Sequence, residues 1–471
     1  MKTSTLFGLA ACGSSALAGV SSLRVVVQTD DPKPQGGLFK DFLPPIFDGE
    51  TVGFRDEDVL EVYKAVGHGE PELVAKTGQL APGFGGGAYS WLDIYSKSNC
   101  LRPKRQGIPY HGQAPFPNIG TIQSIFSDID QPNNLAAEFM IAPDGGNLNI
   151  AFGLDFASDN RNVIFAGSTS VTPTGGAYCV LSGDVRFICN SSTVVPFLGT
   201  TIGPINATGD IRNEYAITRV IAPAPNPDWM GILRYRLSNG TIDYPVRSED
   251  LVPFVGENFV DIAPNPVLSE SGRIVCHVTG ASSLHGTVTR GIYMWQDDFI
   301  TKIAQNGDAR PDGGSFLYDN ISANSTILSA SGDRIAFAYT VNFFQGLQAI
   351  YIWRDGMLSR AVGPGTKVNG KTVSNLRPCR SMLGGFRIAF AADFSDGKQA
   401  IVVANICAGD FNDDGFVEDA DFVEFAAAYN LLLCTDPIMP ENCPADLNGD
   451  GFVDDSDFVL FAAAYNALLC E

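Results

Sequence analysis

The sequence predicts a mainly β chain: a β-propeller of six blades, with seven as the alternative, closed by its own N-terminal strand and followed by a small α-helical unit. Three observations carry that prediction. A hairpin pattern recurs along the middle of the chain at spacings of 57, 58 and 58 residues. A stretch near the N-terminus repeats the text that follows one of those hairpins. A 24-residue text near the C-terminus is written twice, 36 residues apart.

Composition agrees with a folded, turn-rich chain. Hydrophobic residues make up 45% and charged residues 18% of 471 positions, which suits a sizeable core and argues against global disorder. The 50 glycines and 28 prolines favour many turns, hence strands over helix bundles. The net charge of −21 is uneven: fifteen Asp or Glu and no Lys or Arg lie between Gly409 and Glu471. Acidity so local asks for a local reason, such as a bound cation. No basic stripe is present, so no nucleic-acid partner is expected.

Residues 1–18 read as an export signal. Lys2 supplies the positive start, Thr5 to Ala18 an apolar and small-residue run, and Ala16-Leu17-Ala18 a cleavage site before Gly19. Leu9-Ala10-Ala11-Cys12 offers a second reading, a lipoprotein box with lipidation at Cys12. The short run before Cys12 favours cleavage after Ala18. No later apolar run reaches the ~20 residues of a transmembrane segment. The mature chain is therefore expected to be secreted or at the extracytoplasmic cell surface, where disulfides persist.

Residues 19–406 carry the repeats. Tyr178–Asn190, Tyr235–Arg247, Tyr293–Gln305 and Tyr351–Gly363 align without a gap. Each has two apolar stretches around a turn of Gly, Asp or Asn, which is a β-hairpin signature. Tyr63 to Lys76 is a looser copy. A further strand precedes most hairpins, at Asn149–Gly153, Arg273–His277, Arg334–Ala338 and Arg387–Ala391, and more weakly at Val52–Phe54. One such unit cannot bury both its faces, and stacking units around a ring does so. The last unit stops early, after Ala400–Ile406. The missing piece stands at the other end of the chain. Gln28–Phe39 overlays Gln305–Phe316, with Gln, Asp, Pro, both Gly and Phe in common. The strand Leu23–Gln28 is thus predicted to complete the last blade and remove the exposed sheet edges. Residues 90–140 lack the pattern and read as an irregular insertion, or as a degenerate seventh blade.

Residues 407–471 hold the doubled text. In the first copy Asp410, Asn412 and Asp414 take positions 1, 3 and 5 of a loop. Gly415 allows the turn at 6, Phe416 offers its carbonyl at 7, Glu418 stands at 9 and Asp421 closes at 12. The second copy is Asp446, Asn448, Asp450, Gly451, Phe452, Asp454 and Asp457. Calcium takes six to eight oxygens, and this spacing wraps carboxylates, an amide and a carbonyl around one point. Two calcium ions are expected. A helix follows each loop, Phe422–Leu432 and Phe458–Leu469, and none enters. Phe422, Phe425, Ala426, Tyr429 and Leu433 share one helix face, expected to be core between the helices.

Two loop-plus-helix units without entering helices resemble a type I dockerin. The flanking cysteines resemble its Cys-rich variant at the C-termini of secreted planctomycete proteins. The resemblance implies a non-catalytic docking module whose partner is a cohesin-like or cell-surface anchoring protein. It also implies that loop positions 10 and 11 help choose that partner. Here these are Asp419-Ala420 and Asp455-Ser456, where cellulosomal types carry Ser or Thr. The middle region resembles tandem-repeat proteins of the same bacterial group, through Ser329-Ala-Ser-Gly-Asp-Arg-Ile-Ala-Phe337.

Cys407 and Cys443 stand three residues before each loop, and Cys434 and Cys470 stand 24 after each loop start. A helix of ~12 residues spans ~18 Å, too far for pairing within a unit. Antiparallel helices bring each helix end to the other loop, so Cys407–Cys470 and Cys434–Cys443 are expected. Cys179 and Cys189 flank a hairpin symmetrically and are candidates for a cross-strand pair. Cys100, Cys276 and Cys379 are left over, with Cys276 read as a small buried hydrophobe.

No catalytic pattern stands out. G-x-S-x-G, H-E-x-x-H, a phosphate-binding glycine loop and the sialidase repeat are all missing. His68, His111, His277 and His285 are dispersed, and His277 reads as structural. Trp91, Tyr110 and Trp229 are candidates for stacking on sugars, though such aromatics are usually core. The expectation is a secreted, non-enzymatic propeller attached through a calcium-binding dockerin, with an extracellular carbohydrate as a further candidate partner. The alternative is a dockerin-bearing glycoside hydrolase or lyase acting on a polysaccharide.

Overall fold

The computed structural model describes residues 20–468, apart from 84–85, 95–99, 105, 117–119, 129–132, 138–139, 144, 151–155, 170–175, 204–208, 223–228, 254–257, 282–287, 298, 319–325, 343–346, 413, 441–442 and 448–450. The chain forms a seven-bladed β-propeller followed by two α-helices, α1 (Asp419–Leu431) and α2 (Asp455–Ala467). Among the described residues no helix is long and apolar enough to cross a membrane.

All five expected hairpins form outer strand pairs, in blades 1, 3, 4, 5 and 6. The closing strand also stands as expected. Ser22–Gln28 pairs antiparallel with Gln399–Asn405, from Ser22 opposite Asn405 to Gln28 opposite Ala400. It is the outermost strand of blade 7. The repeated linker text folds twice in the same way. Phe39 N–H donates to Asp31 O at 3.0 Å, and Phe316 N–H to Asp308 O at 2.9 Å. Phe39 then meets Tyr63 edge-on at 4.9 Å, as Phe316 meets Tyr351 at 5.3 Å. So each copy docks on the hairpin tyrosine of the blade it enters.

The count of six blades is corrected to seven. Residues 90–140 are not an insertion: Trp91–Asp93, Pro109–Phe116, Gly120–Ser127 and Asn133–Ala137 make a full four-stranded sheet, blade 2. Its signature is present with the residues exchanged. Phe54 and Tyr63, Phe165 and Tyr178, and Phe337 and Tyr351 are cross-strand partners whose rings stack at 5.5, 5.9 and 5.5 Å. In blade 2 the tyrosine comes first, Tyr110 opposite Phe126, and the rings stack at 5.5 Å. The packing is equivalent because either ring fills the same cross-strand space.

Two backbone devices recur in every blade and mark the count. Each outer strand pair carries a β-bulge, which adds twist at the rim. Each outer strand also leads into a turn where the N–H of its last residue, or in blade 6 of the residue after it, donates to the side chain three residues on. The pairs are Lys76 to Gln79, Ala137 to Met140, Asn190 to Thr193, Arg247 to Asp250, Gln305 to Asp308, Gly363 to Thr366 and Gln28 to Asp31.

Blade 3 departs from expectation in one strand. Asn162–Thr169 lies beside the hairpin, and Asn149 belongs to a short strand, Leu148–Ile150, paired with the far end of Asn162–Thr169. The seam between blades 7 and 1 is tight. A Cβ on Gly384 would lie 2.0 Å from Gly49 N, and Gly49 itself has φ +107°. Only glycine fits both positions.

Charged side chains from the loops and innermost strands cross-link the ring centre. Arg102 donates to both carboxylate oxygens of the fully buried Asp210, at 2.8 Å on the Nη2–Oδ2 arm. Leu268 N–H of blade 5 donates to the same carboxylate at 2.8 Å. Arg212 reaches Leu268 O and Ala330 O, and Arg380 reaches Pro266 O at 2.6 Å. Burial alone would raise the Asp210 carboxyl, but the Arg102 guanidinium holds it below its usual value.

Asp210→Ala strands the buried guanidinium, so a loss of about 3–5 kcal/mol is expected in urea denaturation. Arg102→Met combined with Asp210→Leu should recover most of it. A depressed carboxyl contributes stability above its unfolded value, near 3.8, and loses it as pH falls through the lower folded value. The double variant should therefore lose less stability than the parent chain as pH falls below about 4. Equal acid sensitivity would refute the role of this pair.

Candidate metal centre

The first acidic loop sits directly on the closing blade. Asn405, the last residue of its third strand, accepts Cys407 N–H at 2.8 Å and donates Nδ2 to Asp410 O at 3.1 Å. Ser21, just before the closing strand, donates to Cys407 O. Phe386 of blade 7 packs against the core of the helical unit.

Each loop folds around its own acids. Asp410 is fully buried and accepts Asp414 N–H at 3.2 Å and Gly415 N–H at 3.0 Å. Asn412 Oδ1 accepts Asp414 N–H at 3.0 Å, and Asp414 Oδ1 accepts Phe416 N–H at 2.9 Å. Asp421, also fully buried, reaches back across the loop to Phe411 N–H at 2.7 Å and Asn412 N–H at 3.3 Å. Its second oxygen accepts Glu418 N–H at 3.0 Å. In the second loop Asp446 accepts Gly451 N–H at 2.8 Å, and the buried Asp457 accepts Asp454 N–H at 2.9 Å. Phe416 and Phe452 hold position 7 with exposed side chains. Asn448 and Asp450 lie outside the described residues.

The helices begin three residues earlier than the sequence suggests. Asp421 and Asp457 are therefore the third residues of α1 and α2 and form capping boxes with Glu418 and Asp454. Loop closure and helix initiation thus share one carboxylate.

The two units pack as a pseudo-two-fold pair. Val417 N–H donates to Leu468 O at 3.0 Å, and Val453 N–H to Leu432 O at 2.8 Å. Tyr429 donates to Asp455 and Tyr465 to Asp419, both at 2.5 Å. At the centre Phe425 stacks on Phe461 at 4.9 Å. The expected core face is narrower than the sequence reading: Phe425 is buried and Ala426 half-buried, whereas Phe422, Tyr429 and Leu433 are exposed. Phe422 and Phe458 reach the central pair only from its edges, with ring centroids 6.1 Å from Phe461 and Phe425. The reciprocal tyrosine bonds were missed, although the matching positions of Tyr429 and Tyr465 signal them.

Cys434 and Cys443 form a disulfide, as expected. Cys407 is disulfide-bonded, and its expected partner Cys470 lies outside the described residues. Cys179 and Cys189 are not paired. A bulge at Ala177–Tyr178 sets Cys179 opposite Arg186 and Cys189 opposite Ala177, so they do not face each other. Burial pushes both thiols up to about 12. Cys276 is a buried free thiol, as expected.

The donors of both loops are all oxygen, which suits a hard cation. Asp410, Asp421 and Asp457 are buried in a segment that carries no Lys or Arg of its own. Among the described residues the one trio of metal-competent side chains within 4.8 Å of one another is Cys434, Cys443 and Asp446. Its sulfurs are joined in the disulfide, so they are not thiolate ligands. The first-loop carboxylates accept backbone N–H groups instead, and each oxygen retains further lone pairs.

The other candidates are structural. Burial pushes His111 and His277 down to about 4. Tyr110 and Trp229 are core, and Trp91 is half-buried with its ring edge-on to His111 at 5.0 Å.

No protein-family model matches this chain, and no curated protein matches it. Among solved structures it is similar to the β-propeller domain of the trilobed protease of Pyrococcus furiosus, at 11% identity and a TM-score of 0.33, over 62% of this chain and 77% of that one. It is similar to a puromycin-hydrolysing peptidase of Mycobacterium tuberculosis, at 12% identity and a TM-score of 0.35, over 74% and 55%. A puromycin hydrolase is similar at 12% identity and a TM-score of 0.33, over 80% and 51%. The aligned part is thus about half the length of each hydrolase.

Phe425→Ala and Phe461→Ala should each cost about 3–5 kcal/mol in the helical unit. The propeller should keep its own unfolding transition. Calorimetry showing both transitions unmoved would refute this central contact.

Proposed function

We propose that the C-terminal unit is a dockerin-like module which binds two calcium ions and attaches the propeller to a cohesin-like or cell-surface partner outside the cytoplasm. The observation that carries this reading is the doubled loop. Asp410 and Asp446 bind the same turn glycine, Gly415 and Gly451, and Asp421 and Asp457 close the same helix start. Asp410, Asn412, Asp414, Asp421 and the carbonyl of Phe416 would hold one ion. Asp446, Asn448, Asp450, Asp457 and the carbonyl of Phe452 would hold the other. The metal's chemistry here is charge compensation: it neutralises buried carboxylates and stiffens both loops together.

The role is attachment rather than turnover. The propeller closes on itself through Ser22–Gln28, and the acidic unit begins directly after that closure. The unit is therefore held by the ring while α1 and α2 keep exposed apolar side chains, Phe422 and Val423 with Phe458 and Val459, at matching positions.

Calcium titration calorimetry on the full chain should resolve two sites. Asp410→Ala should remove one and Asp446→Ala the other, with the double variant losing both. Two sites surviving in the double variant would refute the assignment. Polysaccharide hydrolysis by the full chain, abolished by one carboxylate substitution in the propeller, would overturn the non-enzymatic reading.

A further inference from the structure

The seven exit turns are one device used seven times, and among the described residues the turn at Asp250 differs from the next one, at Asp308, in leaving a carboxylate oxygen open. At the seam of blades 5 and 6, Asp308 Oδ2 accepts Gln305 N–H at 2.9 Å and Lys302 Nζ donates to Oδ1 at 2.9 Å. At the seam of blades 4 and 5, Asp250 Oδ2 takes both Arg247 N–H at 2.9 Å and the Trp295 indole N–H at 3.3 Å. Tyr244 stands where Lys302 stands, nine residues past the hairpin tyrosine, and brings no ammonium to Oδ1.

Asp250 lines a cleft of about 520 Å³ between these two blades, within the size range of small-molecule sites. Arg234 and Asp243 line it too, joined by two hydrogen bonds at 3.0 and 2.7 Å. The Arg234 guanidinium lies over the Tyr215 ring at 5.0 Å, which fixes its orientation. The Asp243 side chain is 56% exposed, so its outer lone pairs are accessible. A smaller recess of about 160 Å³ shares Arg234 and Asp243 and continues to Arg236 and Thr241. Arg247 is also held in place, its Nε donating to Tyr244 O at 3.0 Å and its guanidinium over Phe197 at 4.4 Å.

The cleft is lined by charges of both signs. Two arginines, Arg234 and Arg247, face three aspartates, Asp243, Asp250 and Asp297. With no positive excess, an anionic ligand gains nothing over a neutral one. A cation meets both guanidinium groups. A hydroxyl donates to a carboxylate and accepts from a guanidinium at once, so a ligand dense in hydroxyls satisfies both kinds of wall. We propose that the cleft between blades 4 and 5 is a binding site for a neutral saccharide. This goes beyond attachment: it supplies the propeller with a ligand of its own and does not depend on the calcium loops.

The test uses the full chain in calcium on an array of neutral, uronic-acid and sulfated oligosaccharides, with calorimetry on the best binder. Binding to neutral glycans is expected. Asp243→Ala and Asp250→Asn should each weaken it at least about tenfold, the size of one lost charge-assisted hydrogen bond. Asp250→Asn keeps an oxygen for the exit turn, and thermal melts check that the fold survives. Phe299→Ala, at an exposed ring that does not line the cleft, should leave binding unchanged. No binding to neutral glycans, a preference for the acidic ones, or binding that survives both aspartate variants would each overturn the site. A protein that binds two calcium ions but no sugar loses this inference alone, and one that binds sugar but no calcium loses only the attachment reading.

Discussion

The pairing of Ser22–Gln28 with Gln399–Asn405 is the constraint on which the rest of the molecule depends. A four-stranded blade has two faces to bury and needs a neighbour on each side. Until the first strand meets the last blade, blades 1 and 7 each have one face uncovered, and blade 7 has an open edge. Closure also brings Gly49 and Gly384 into backbone contact and lets Arg102, Asp210, Arg212 and Arg380 meet around one buried centre. The same junction seats the helical unit, because Ser21 and Asn405 both bond to the chain at Cys407. The two ends of the ring and the start of the acidic unit are one hydrogen-bonded knot.

Inside that unit, duplication solves a packing problem. A helix of 13 residues with one buried phenylalanine has no core of its own. Related by a pseudo-two-fold axis, the two copies share Phe425 and Phe461, exchange strand-like bonds between loop and helix end, and trade tyrosine–aspartate bonds. These reciprocal contacts tie the start of each helix to the other repeat. The Cys434–Cys443 disulfide adds a covalent tie beside Asp446, whose Oδ2 lies 3.5 Å from the Cys434 sulfur.

The propeller shows how a repeated scaffold leaves room for function. Seven bulges and seven exit turns hold the rim in one geometry. The residues that satisfy a turn can then vary without loss of the fold. Lys302 closes the turn at Asp308, whereas the turn at Asp250 stays open to a cleft. Such differences sit on single side chains, far below the level at which the repeat is visible.

Local periodicity in the sequence determined the hairpins, the closing strand, the linker that docks on Tyr63 and Tyr351, and the doubled loops. Each of these is written in contiguous residues whose turn chemistry and alternation act locally. Blade 2 was legible only as the alternative reading, because its signature survives only as a pair: Tyr110 and Phe126 exchange places, and exchange is visible only when both strands are in register. The free state of Cys179 and Cys189 was illegible for a similar reason, since one bulge shifts the register and no residue announces it. In the acidic loops the candidate ligands were readable one by one. That Asp421 closes the loop and starts the helix together, and that Tyr465 caps Asp419 from the other repeat, came only with the fold. The sequence by itself determined the repeated hairpins, the closing strand, the acidic loops and the presence of two helices, because those depend on neighbours along the chain. The tertiary structure decided the number of blades, the unpaired state of Cys179 and Cys189 and the open carboxylate at Asp250, because those depend on which side chains meet across strands and seams.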